Sequence, residues 1–116
     1  EDSPTGFLQA RKVCLENKVN LVFGLRLSLE CFSNDDQSNH KVIIFAKNDS
    51  GCKLLNLIYS DFFCKMNGVG NYKSLKEFWN EDDLMLAIPF YDSFLYQNSF
   101  SFKNCIFSTG LDIFFL

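Results

Sequence analysis

The chain has 116 residues, enough for one domain built on a single core. A hydrophobic content of 47%, with 16% aromatic residues, excludes a disordered chain and points to a heavily buried sheet. The net charge of −3, with basic residues scattered singly from Arg11 to Lys103, argues against direct nucleic-acid binding, and no apolar run approaches the roughly 18 to 20 residues that span a bilayer.

The first expected element is a helix over residues 5–18. Phe7, Ala10 and Cys14 recur there at helical spacing, with Leu8 and Leu15 flanking the same side. Pro4 lies near the position where proline suits a helix start. Residues 21–30 read as a strand whose character changes partway. Its first half is continuously apolar, like a buried parallel strand; beyond it Leu25, Leu27 and Leu29 alternate with Arg26, Ser28 and Glu30. Gly24 marks a bulge or a close backbone approach. A polar loop over 33–39 leads to a second strand over 42–46, and antiparallel pairing of the two is expected. Asn48 then caps a helix that runs to about Lys65. Asp49 occupies the first turn, where the helix dipole favours negative charge, and Leu54, Leu55, Ile58 and Phe62 form the core stripe.

Asn67 and Gly68 suit the left-handed geometry that ends such a helix. Ser74 and Glu77 make a capping-box pattern that predicts a short third helix through Trp79, with Phe78 and Trp79 as core anchors. Glu81, Asp82 and Asp83 read as a solvated acidic turn before a strand over 84–88, closed by Pro89. Residues 92–98 read as a short helix capped by Asp92, and 105–107 and 112–116 as two further strands. Helix and strand alternate throughout, which predicts a single α/β domain over residues 1–116 with a mainly parallel sheet flanked by helices. The chain opens without Met and closes on Phe114, Phe115 and Leu116, so truncation at both ends of a longer protein is expected.

Few chemistries fit this residue set. Cys14, Cys31, Cys52, Cys64 and Cys105 form no C-x-x-C pair and no zinc-type cluster. Their odd count fits buried, reduced thiols and a cytoplasmic location. Gly68 and Gly70 make too short a glycine stretch for a phosphate loop. Serine catalysis would have His40 alone as its base, and there is no G-x-S-x-G elbow. Asp35 and Asp36, like the acidic run at 81–83, lack the spaced oxygen ligands of a calcium loop.

Four stretches, in order, carry a family resemblance. They are Phe7-Leu-Gln-Ala-Arg-Lys-Val-Cys14, then Lys18-Val-Asn-Leu-Val-Phe-Gly24, then His40-Lys-Val-Ile-Ile-Phe-Ala-Lys-Asn48 with Gly51, Leu54 and Leu55, and last Leu84-Met-Leu-Ala-Ile88. In wording and spacing the chain resembles the polymerase-and-histidinol-phosphatase (PHP) domain of bacterial and phage C-family DNA polymerase III alpha subunits. The resemblance implies a fragment of a partial PHP-like distorted β/α barrel, from a cytoplasmic protein of DNA replication. PHP domains hold divalent metals at their strand ends and hydrolyse phosphate esters. Such chemistry needs acids and imidazoles that converge, so that the metals activate water and neutralise phosphoryl oxygens.

The same resemblance shows where this chain departs. Arg26 stands where the family has a glutamate, Lys41 where it has a histidine, and Phe90 near its cysteine. A cation at position 26 repels a metal ion. Two residues remain as candidate metal ligands: Asp2, near a family Asp-His, and His40, one residue out of register. Their plain readings are a solvated terminal carboxylate and an exposed loop-end histidine. The expectation is therefore a structural role with a degenerate metal site, with no catalytic residue and no cofactor in this chain; zinc or manganese would belong to a complete homologue. Expected partners are the remainder of a polymerase chain or replisome subunits, and a second copy of this chain through exposed sheet edges. Two alternatives stand beside this reading: a metal-dependent phosphoesterase completed by ligands outside these residues, and an unrelated α/β protein-interaction module.

Overall fold

The computed structural model describes residues 2–30 and 39–89. The elements expected over 92–98, 105–107 and 112–116 lie outside the described residues, as do Phe90 and the Asp35, Asp36 pair. A 3-10 turn at Pro4–Gly6 leads into α1 (Phe7–Glu16). Then follow β1 (Gly24–Glu30), β2 (Asn39–Ala46), α2 (Asp49–Lys65), β3 (Val69–Asn71), α3 (Tyr72–Phe78) and β4 (Leu84–Ala87). The four strands form one sheet in the order β3-β1-β2-β4. β3 and β4 are its two edges, so among the described residues the sheet is open and not a closed barrel.

The expectation of a mainly parallel sheet is corrected. β1 and β2 pair antiparallel from Gly24 opposite Phe45 to Glu30 opposite Asn39, and β2 and β4 pair antiparallel from Ala46 opposite Leu84 to Ile43 opposite Ala87. Only β1 and β3 run parallel. Connection length explains this: β1 ends at Glu30 and β2 begins at Asn39, too little chain for the dozen or more residues of a parallel crossover. The sheet is mixed and flanked by helices.

One face of the sheet makes the core. Leu25, Leu27 and Leu29 of β1 and Val42 and Ile44 of β2 are fully buried with Leu55, Ile58 and Phe62 of α2 and Leu75 of α3. Each side chain of this size removed from water contributes about 1.5–3 kcal/mol before conformational entropy is charged against it. The α2 stripe is as expected, with Leu54 half-buried at its margin. Phe78 and Trp79 also pack half-buried against the core. Asp61, buried on α2, is held by Lys65 one turn on at 2.7 Å. Burial of Tyr72 pushes its hydroxyl up to a pKa of about 12.

Two local expectations shift. The strand expected from residue 21 starts at Gly24, and Leu21 and Val22 are exposed. At Gly24 it is the Phe45 ring that approaches, since a Cβ there would lie 2.7 Å from Phe45 Cδ1. The third helix starts a turn before Ser74: Asn71 is its cap, and the Ser74 backbone N–H donates to Asn71 Oδ1 at 2.8 Å. The short strand β3 precedes that cap, entered through Asn67 and Gly68 at φ 53° and 87°.

The junction of β2, α2 and β4 is closely tied. Asn48 Oδ1 accepts from the Gly51 N–H at 2.8 Å, which caps α2. The same side chain donates from Nδ2 to Asp83 Oδ1 at 2.8 Å. Lys47 adds a backbone bond, its N–H to the Asp83 carbonyl at 2.8 Å, and its Nζ donates to the Glu81 carbonyl at 2.6 Å. The acidic turn at 81–83 is thus clamped to the α2 cap instead of standing free in solvent. Gly51 is required there because a methyl group would overlap the Asp83 carbonyl and crowd Ala46. We expect Gly51→Ala to lower unfolding free energy by about 1–3 kcal/mol in urea denaturation. Gly6→Ala, with open space around it, should stay within about 0.5 kcal/mol of the parent.

Candidate functional site

β1 and β2 each bury one row of side chains and turn the alternate row to the opposite face of the sheet. On β1 that second row is Arg26, Ser28 and Glu30; on β2 it includes Lys41, Ile43 and Phe45. It is here that the resemblance would put metal ligands, at positions 26 and 41. The register sets Ser28 directly across from Lys41, and Lys41 Nζ donates to Ser28 Oγ at 2.8 Å.

Arg26 is engaged from the other side by Asp2. Its Nε donates to Asp2 Oδ1 at 2.7 Å and its Nη2 to Oδ2 at 3.0 Å, a two-pronged pairing that occupies both carboxylate oxygens. The hydrogen bond from Arg26 is the main reason the Asp2 carboxyl titrates below its ordinary value, aided by the positive charges of Arg26 and Lys41. Asp2 is therefore neither a free terminal carboxylate nor an open ligand. Both partners are about half exposed, so water and salt weaken the pair.

His40 takes the register position opposite Leu29. The structure joins Asp2 to Arg26. Among the described residues no three His, Cys, Asp or Glu side chains converge as a metal-binding group. The donor set on this face does not fit a divalent cation, because a guanidinium and an ammonium already fill the positions where ligands would have to be. What the arrangement does instead is tie the segment before α1 to the sheet.

The described cysteines are less buried than expected. Cys14 and Cys52 are half-buried free thiols, whereas Cys64 is exposed; Cys31 and Cys105 lie outside the described residues. Burial, then the nearby Asp49 carboxylate, pushes the Cys52 thiol up, away from the reactive thiolate. No described helix is long and apolar enough to cross a membrane.

Comparison of the chain with protein-family models, with curated proteins and with solved structures finds no match.

The Asp2–Arg26 pair gives a defined pH dependence. A carboxylate whose folded pKa lies below its unfolded value contributes stability that is present above the unfolded value and lost as pH falls through the folded one. In a carboxyl-carbon NMR titration Asp2 should have its midpoint below 3.8, and Arg26→Gln should return it toward that ordinary value. An unchanged midpoint in the variant would show that Arg26 is not the cause.

Proposed function

We propose that this chain is part of a PHP-like domain, a distorted β/α barrel in its complete form, and that it serves as a structural module of a C-family DNA polymerase alpha subunit. The observation that carries the reading is the junction around Asn48. The wording that prompts the family resemblance, Ala46-Lys-Asn48 followed by Gly51, is the set of residues that locks β2, α2 and the turn before β4 together. A closely bonded packing joint at these residues, together with Arg26 and Lys41 where the resemblance implies ligands, supports scaffolding over hydrolysis. In this reading the module lies in the cytoplasm, carries no resident metal, and makes no direct contact with nucleic acid. Its partners are the remainder of the polymerase chain or other replisome subunits, with self-association through the β3 and β4 edges.

A second reading, an α/β protein-interaction module unrelated to polymerases, is favoured by the apolar surface of α1 and the segment after it. Leu8 and Leu15 are 82% and 69% exposed, and Val22 is 65% exposed.

The full product of the reading frame that carries these residues separates the readings. The polymerase reading expects primer extension with magnesium and deoxynucleotides, and no phosphate release from p-nitrophenyl phosphate with zinc or manganese. Ester hydrolysis that chelation removes and Asp2→Asn abolishes would establish a phosphoesterase instead. Absence of both activities would favour the interaction module.

A further inference from the structure

Away from the Arg26 row, the 3-10 turn, α1 and the outer side of α2 enclose a groove of about 590 Å³, a volume suited to a small organic ligand. Its walls are aromatic: Phe7 and Phe23 from one side and Tyr59 from the other. These rings are held in place by neighbours. Phe7 and Phe23 pack with centroids 4.6 Å apart, and Tyr59 packs on Phe63 at 4.3 Å. Phe23 is further fixed by its carbonyl, which accepts from the Ala46 N–H at 2.9 Å.

Three charged side chains line the groove. Arg11 comes from α1, and Asp49 and Lys53 come from α2. Among the described residues neither Arg11 nor Lys53 has an ion-pair partner. Asp49 sits in the first turn of α2, where the helix dipole already balances part of its charge. The groove is therefore locally positive on a chain whose net charge is −3.

We propose that this groove binds a small ligand with an aromatic body and one anionic group. The ring enters between Phe7, Phe23 and Tyr59, where apolar and stacking contacts favour it. The anion lies between Arg11, whose guanidinium fork matches a carboxylate or phosphate, and Lys53, which acts as a compact point charge. Asp49 disfavours an anion placed deeper toward the start of α2 and so sets which end of the ligand points where. This site is distinct from the Arg26 row and does not depend on the polymerase reading.

The probe is the aromatic sulfonate 1-anilinonaphthalene-8-sulfonate, titrated by fluorescence against the 116-residue chain. One saturable site is expected, weakened by added salt. Arg11→Glu combined with Lys53→Glu should weaken it at least about tenfold, the loss expected for one charge-assisted hydrogen bond. Lys12→Glu, on α1 but outside the groove, should leave it within about twofold, too small a change to amount to a lost contact. Displacement of the probe by phenyl phosphate but not phenylacetate assigns the anion as phosphate, and the reverse assigns it as carboxylate; benzyl alcohol, which lacks the charge, should displace the probe only weakly. Fluorescence that fails to saturate, equal affinity in the double charge reversal, or displacement by neither anion would overturn the proposal.

Discussion

A single side chain, Asn48, does two jobs that no other residue type does together at this place. Its oxygen accepts from the Gly51 N–H and starts α2, and its nitrogen donates to Asp83 and fixes the turn that starts β4. Aspartate would cap the helix equally well but would present a second carboxylate to Asp83. Serine would cap it, but its short hydroxyl lacks the amide's second arm. Because Ala46 is paired with Leu84 one residue beyond this joint, the register of β4 on β2 follows from it. The absence of a Cβ at Gly51 lets the turn come close enough for these bonds to form.

The polar row on the opposite face obeys a different constraint. Arg26 lies in the middle of a strand with leucines on either side, so the alternation of the strand turns its charge to the exposed face away from the core. Asp2 pairs with it there, from a position outside any strand or helix, and Lys41 is turned to Ser28 across the β1–β2 pair. Both cations of this row thus have acceptors within the chain, a carboxylate for Arg26 and a hydroxyl for Lys41.

How much of this was legible in the sequence depended on the range of the interaction. The α2 cap and stripe were readable because Asn48, Asp49 and the 3.6-residue apolar repeat act within a few residues of each other. The alternation of Leu25, Leu27 and Leu29 likewise gave the core row of β1. The antiparallel pairing of β1 with β2 was legible in the short polar loop between them, whereas the half-burial of Ile43 and Phe45 on the second face of that pair was not. β3 was not readable, since Val69–Asn71 becomes a strand only by lying alongside β1. Its tightest contact, the Phe62 ring over Gly70, joins residues on different elements. The capping-box pattern at Ser74 and Glu77 pointed to a helix start that the observed cap, Asn71, places one turn earlier. Asp2 and Arg26 are 24 residues apart, and the one clue to their pairing was an arginine in a strand's polar row with no acid beside it.

α1 draws these strands of the argument together. The helix buries none of its residues, so its position depends on what flanks it. At its start, Phe7 packs on Phe23, and ahead of that Asp2 grips Arg26 while Ser3 caps the 3-10 turn by accepting from the Thr5 N–H. The Asp2–Arg26 pair therefore also anchors the element that forms one wall of the aromatic groove. Replacing Arg26 by an acid would do more than remove a cation from the row. It would set two carboxylates against each other and remove the tie that holds the segment ahead of Phe7 to the sheet.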